Sequence, residues 1–216
     1  MPEYDIQSSL LSLPYMLMQQ SLESSVPSAP YLTIKKKASL ENYSNYYKIG
    51  IVWAGSPLHP NDANRSCYLN KFKPIHDLPG VKLFSLQKDT RKRVYIDQPD
   101  HLIDYACGCE DMSIVDMSEH MGSFEETGAI INELDLVVTV DTSVAHLAGA
   151  IGKEVWTMIP WNPDWRWKIK GEKTDWYPSM RLFRQEVEPT AKRDLGWTPV
   201  ITRIAEAIKK EKLCQQ

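Results

Sequence analysis

Leu136-Val-Val-Thr-Val-Asp-Thr-Ser-Val-Ala-His-Leu-Ala-Gly-Ala150 carries the clearest fold signal in the sequence. Its first five residues are apolar or β-branched without a break, and Leu134, just before it across Asp135, lengthens the segment. Such a segment, here predicted as a strand over 134–140, suits a sheet buried on both faces, which in practice means a parallel one. Asp141-Thr142-Ser143 then supplies helix-starting side chains. Ala145, Ala148 and Gly149 predict a slim helix over 143–151 that can lie close on that sheet.

Working outward, the same texture recurs on both sides. Lys48–Ala54, Val81–Leu86 and Ser113–Asp116 precede the central run as strand candidates, and Glu154–Ile159 and Met180–Phe183 follow it. Helical patterns occupy Ser123–Glu133 and Thr198–Lys210. Apolar strands alternating with helices predict an α/β domain, doubly wound around a mostly parallel Rossmann-like sheet, over residues 48–216. Residues 1–47 differ in composition. They are rich in Ser, Tyr and Gln, contain Pro14, Pro27 and Pro30, and carry Lys35-Lys36-Lys37. They read as a leader whose one apolar segment, Leu10–Met18, allows a helical turn or two before the prolines impose extended chain.

The bulk composition narrows the function classes. With 25 basic and 28 acidic residues among 216, the formal charge is −3, which gives no nucleic-acid footprint. A hydrophobic fraction of 43% with 25% charged residues is that of a folded globular chain. No run approaches the ~18 apolar residues of a membrane span, and the acidic start is unlike a secretory signal. Cys67, Cys107, Cys109 and Cys214 lack a paired C-x-x-C, so reduced thiols in a cytoplasmic protein, with no metal, are expected.

In an open parallel sheet, ligands sit beyond the C-terminal strand ends, near the point where strand order reverses. The segments after the predicted strands therefore hold the candidate site. At Asp141-Thr142-Ser143 the opening turn of a helix leaves N–H groups and partial positive charge for a phosphate. The two hydroxyls add donors, Asp141 can accept from a sugar, and His146 shares a helix face with Thr142. The plainer reading is a helix cap with a half-buried histidine. After the first strand come Gly55-Ser56 and, in the same polar loop, Arg65, suited to a diphosphate or to ordinary surface exposure. Gln87 and Lys88 end the second strand. Trp161, Trp165, Trp167 and Trp176 fall within sixteen residues of expected loop. They either pin that loop or wall a base or sugar, and a locally extended chain would turn Arg166 away from the rings beside it.

Together these segments resemble the C-terminal, donor-binding half of a GT-B glycosyltransferase. The likeness is to the domain that follows tetratricopeptide repeats in bacterial proteins, related to the family 9 ADP-heptose:lipopolysaccharide heptosyltransferases. The stretches that carry it are Ile49–Pro57, Asn64-Arg-Ser66, Leu83–Lys88, Leu136–Ala150, and Pro163–Trp167 through Trp176–Gln185; Leu10-Leu-Ser-Leu-Pro14 resembles the end of that family's first domain. The resemblance implies a nucleotide-sugar as substrate, no cofactor, and metal-independent inversion at the anomeric carbon. It assigns diphosphate and sugar to Asp141, Thr142, Ser143 and His146, and phosphates to the Gly55 loop and Arg65. With Ser56, Gln87, Lys88, Trp161 and Trp165 these form the expected donor site, and no residue is assigned as catalytic.

Of the family's N-terminal acceptor domain, which carries the acidic base in the heptosyltransferases, the resemblance finds only that tail, a remnant within residues 1–47. The expectation is therefore a split or truncated frame, completed by an acceptor-domain chain or a repeat module as partner. Were the base within this chain, Asp62, His59 and His146 would be its candidates. A non-catalytic module for a nucleotide diphosphate or sugar is the competing reading, and a sugar-nucleotide epimerase, which needs two complete domains, is a weaker third.

Overall fold

The computed structural model describes residues 29–88, 93–95, 98–103, 111–186, 188 and 196–213. Eight strands are present among them: β1 (Tyr47–Val52), β2 (Val81–Ser85), β3 (Arg93–Tyr95), β4 (Gln98–Ile103), β5 (Val115–Asp116), β6 (Leu136–Val140), β7 (Val155–Ile159) and β8 (Met180–Arg184). The helices are α1 (Asp62–Arg65), α2 (Lys73–His76), α3 (Phe124–Glu133), α4 (Ser143–Ala150) and α5 (Trp197–Ile208). Six strands form one sheet in the order β5-β2-β1-β6-β7-β8, and every neighbouring pair is parallel. Counted along the chain, those six run 3-2-1-4-5-6, the order of a dinucleotide-binding fold, with its switch point between β1 and β6.

The sheet is covered on both faces, as continuous apolar strands require. On one face Ile49, Ile51, Val138, Trp156 and Met158 pack with Trp197, Val200, Ile201, Ile204 and Ile208 of α5 and with Phe72 and Ile75. On the other, Val52, Val137, Val155 and Leu182 meet Ile130 and Ile131 of α3 and Ala145 and Ala148 of α4. All five residues of β6 are buried, which accounts for its lack of polar alternation. Ser123 caps α3 by accepting from the Glu126 N–H, so that helix starts one residue inside the predicted span.

Three departures from the expected elements have physical causes. Between β1 and β2 the crossover is made of four-residue helices, α1 and α2, with a 3-10 turn at Leu69–Phe72, too short to show a helical period. The hairpin β3–β4 is antiparallel and separate from the main sheet, and its polar sequence gave no strand signal. Trp165–Trp167 forms one 3-10 turn, capped by Asp164, within the expected loop, so the locally extended chain that would turn Arg166 away from its neighbouring rings is not what forms.

From Ala29 onward the segment expected as a leader lies along the α3–α4 face. Tyr31 and Leu32 N–H groups donate to the Ala150 carbonyl at 2.9 and 3.1 Å, Lys36 pairs with Glu126 at 2.5 Å, and Tyr43 sits edge-on to Phe84. The lysines of the 35–37 run are exposed. The Leu10–Met18 segment, Cys107, Cys109 and Cys214 lie outside the described residues; Cys67 is buried. No helix among the described residues is long and apolar enough to cross a membrane.

Candidate functional site

Two clefts open side by side at the C-terminal edge of the sheet, over the switch point. One, of about 530 Å³, is lined by Gly55, Ser56, Arg65, Gln87, Lys88, Thr142 and Ser143, with an apolar side that includes Leu86, Met121, Phe124 and Val144. The other, of about 480 Å³, is lined by His59, Arg65, Asp141, Thr142, Ser143, His146, Asp164 and Arg166. Nine of the eleven expected residues are therefore brought together, and Arg65, Thr142 and Ser143 belong to both clefts.

Arg65 is held in place from three directions. Its Nη1 donates to the Asp141 carbonyl at 2.8 Å, tying the β1 loop to the end of β6. Its Nε lies 3.5 Å from Asp62 Oδ1, and the two side chains are 12% and 3% exposed, so the surface reading of this arginine does not hold. Asp62 Oδ1 also accepts from Ser66 Oγ at 2.8 Å, and Ser66 Oγ accepts the Gly55 N–H at 2.9 Å. A Cβ on Gly55 would fall 2.2 Å from Arg65 Nη2, so only glycine lets the guanidinium lie across that backbone. Removing one partner of such a buried pair leaves an uncompensated charge.

The start of α4 supplies the facing wall. Thr142 is its N-cap residue, yet no side chain caps the helix; the Thr142 hydroxyl instead meets Thr139 Oγ1 at 3.2 Å. The Ala145 N–H donates to the Thr142 carbonyl, which leaves the Ser143 and Val144 N–H groups, with the positive end of the helix dipole, at the cleft wall without a side-chain acceptor. Gln87 has a structural part as well. It is buried, and its Oε1 accepts the Ala54 N–H at 3.1 Å, fixing the ends of β1 and β2 against each other.

His146 lies one turn into α4 and stacks on Trp167, with ring centroids 5.2 Å apart. Its Nδ1 is 2.9 Å from the Tyr177 hydroxyl. Burial holds its pKa below the usual histidine value; Asp141 and Asp164 act upward on it and Arg166 downward. The ring is therefore neutral at pH 7.

The tryptophans divide. Trp161 and Trp165 are 48% and 51% exposed and line neither cleft. Trp165 packs edge-on to Trp176 and carries the Arg166 guanidinium 4.7 Å from its ring centre. Trp167, by contrast, is buried beneath the site. Sequence reasoning passed over Asp164 and Arg166 as cleft residues; the signal for them was the Asp-x-Arg spacing, which lets Asp164 accept from both the N–H and the Nη1 of Arg166. It also passed over Met121–Phe124, which reaches the cleft only through the fold.

No family model matches the chain, and no solved structure matches it. Among curated proteins the chain is similar to Protein FlbA of Caulobacter vibrioides, 24% identical over 180 residues, covering 80% of this chain and 27% of that protein. The chain thus spans about a quarter of the length of this relative.

Proposed function

We propose that the chain is the nucleotide-sugar-binding domain of an inverting, metal-independent glycosyltransferase whose acceptor-binding half lies outside these 216 residues. The observation that carries this reading is the wall common to both clefts, where Arg65 and the start of α4 converge at the switch point. A diphosphate on that wall directs its nucleoside toward the apolar side of the 530 Å³ cleft and its sugar toward Asp141 and Asp164 in the 480 Å³ one. In the reaction, an acceptor hydroxyl oxygen bonds to the anomeric carbon from the face opposite the diphosphate. The bond to the diphosphate breaks, and the acceptor proton passes to a base on the acceptor half. Negative charge grows on the departing diphosphate, where a preorganised guanidinium and helix-start N–H groups lower the barrier without reorganising.

A non-catalytic binding module is the second reading, and it too has an observation behind it. Asp62 is buried and tied to Ser66 and Arg65, so it is not placed as an acceptor's base. Calorimetric titration with ADP, UDP, GDP and their sugars tests the binding that both readings share. One of them should bind in the micromolar-to-millimolar range, ~4–8 kcal/mol, while the purified chain alone transfers no sugar. No heat with any of these ligands overturns both readings. Transfer by the chain alone overturns the second and places a base within it, with His59 and Asp164 first to be replaced.

A further inference from the structure

Gln87 follows the end of β2 and is only 4% exposed, yet it lines the 530 Å³ cleft. Its carboxamide has a fixed direction. The atom 3.1 Å from the Ala54 N–H is the oxygen, because a backbone N–H can only donate and an amide nitrogen there would meet it hydrogen to hydrogen. The backbone beside it is pinned as well, with the Leu86 N–H donating to the Ile51 carbonyl at 2.9 Å. With Oε1 engaged, Nε2 and its two hydrogens are the polar end left over, and no described residue accepts from them. A buried donor without an acceptor is costly, so this nitrogen calls for an acceptor that enters from the cleft. Charge around the two clefts is sorted in the same sense. The charged side chains lining the 530 Å³ cleft, Arg65 and Lys88, are both basic, whereas Asp141 and Asp164 line the 480 Å³ one.

We infer that Gln87 is a binding residue whose Nε2 donates to a phosphate oxygen of a ligand in the 530 Å³ cleft, which Arg65 and Lys88 line as well. An ionised phosphate oxygen accepts and does not donate, so one anionic group satisfies the amide and both cations together. A ligand group that could only donate would leave the amide unpaired, and the position therefore selects by hydrogen-bond polarity. The same side chain that meets the ligand holds Ala54, the residue before Gly55-Ser56, so the donor is set in place before anything binds. The inference rests on the proposed function only for taking that phosphate as part of a nucleoside diphosphate.

Side-chain amide ¹⁵N–¹H spectra of the full chain, labelled at its glutamines, observe that donor directly, and Gln87→Glu and Gln87→Met each identify its pair of resonances by their loss. Saturation with inorganic pyrophosphate should move one of the two protons downfield, while adenosine should leave both nearly in place. Calorimetry reads the energetic side. Gln87→Glu keeps an oxygen for the Ala54 N–H, so its melting temperature should stay close to that of the wild type. It puts an acceptor where the donor was, so affinity for pyrophosphate and for ADP should fall tenfold or more, the worth of one hydrogen bond to a charged group. Gln87→Met should lose both affinity and stability, because the Ala54 N–H is left without its partner. Pyrophosphate bound with both Gln87 protons unmoved, an equal shift with adenosine, or undiminished affinity in Gln87→Glu overturns the inference and leaves the nucleotide reading to its own titrations. A Gln87 shift with pyrophosphate, while ADP, UDP and GDP bind no more tightly than pyrophosphate, supports the inference and counts against the nucleoside part of that reading. Binding of none of the four overturns both.

Discussion

At the scale of a residue, Arg65 shows how a side chain of ordinary surface type becomes part of a cleft wall. Its planar fork spans two partners at once, the Asp141 carbonyl and the Asp62 carboxylate. A lysine carries the same charge on a flexible stem and cannot hold both. Arg65→Lys should therefore weaken nucleotide binding by tenfold or more, since a hydrogen bond from a charged donor is worth about 1.5–3 kcal/mol. The same change should cost about 1–3 kcal/mol of stability, because Asp62 stays buried with poorer compensation. Calorimetry and urea unfolding measure the two separately; unchanged affinity with lowered stability would make Arg65 a purely structural residue. Asp141 makes a different expectation testable. Its backbone carbonyl serves Arg65, which leaves its carboxylate to the 480 Å³ cleft, the proposed place of the sugar. Asp141→Ala should thus weaken a sugar-bearing donor more than the bare nucleoside diphosphate.

At the scale of an element, the loop from Trp161 to Trp176 is pinned at three of its carbonyls by one side chain. Arg184, on β8, donates to three carbonyls of that loop: Nε to Gly171 at 2.7 Å, Nη1 to Lys168 at 3.0 Å, and Nη2 to Trp167. Arg203 of α5 in turn holds the Arg184 carbonyl. The loop is further tied by Trp176 Nε1 donating to the Arg166 carbonyl and by the Trp161 N–H donating to Gln185. This anchoring seats Trp167 under His146 and leaves Trp161 and Trp165 at the surface. The two positions accordingly separate. Trp165→Phe should leave both melting temperature and nucleotide affinity nearly unchanged. Trp167→Phe should cost about 1–3 kcal/mol of stability, as a shrunken core side chain does, and weaken nucleotide binding with it. Intrinsic fluorescence read during titration checks the assignment, since the saturable change on binding should persist in Trp165→Phe and shrink in Trp167→Phe. The opposite pattern would return Trp165 to the site.

At the scale of the whole molecule, what could be read from sequence was what is set by unbroken apolar runs. Each of the six strands of the parallel sheet lies within two residues of its expected bounds, and the alternation with helices implied cover on both faces. The strand order, and with it the switch point, made the post-strand loops the place for the clefts. Segments without such runs were illegible: α1 and α2 are single turns, and α2 has a proline as its second residue. The site was legible where it lies next to a strand end, as at Asp141–Ser143. It was not where tertiary contacts decide exposure, and nothing local distinguishes buried Trp167 from exposed Trp165 two residues earlier. The switch-point wall of Arg65 and the α4 start is proposed to receive a nucleoside diphosphate. Amide chemical-shift mapping of the full chain with ADP, UDP and GDP in turn tests it most directly. At saturation with the best of them, perturbations should concentrate at Gly55, Ser56, Arg65, Lys88, Ser143, Val144 and His146. Shifts gathered instead at the opposite edge of the sheet, around Glu154, Ser179 and Arg181, or none with any of the three, would contradict the account.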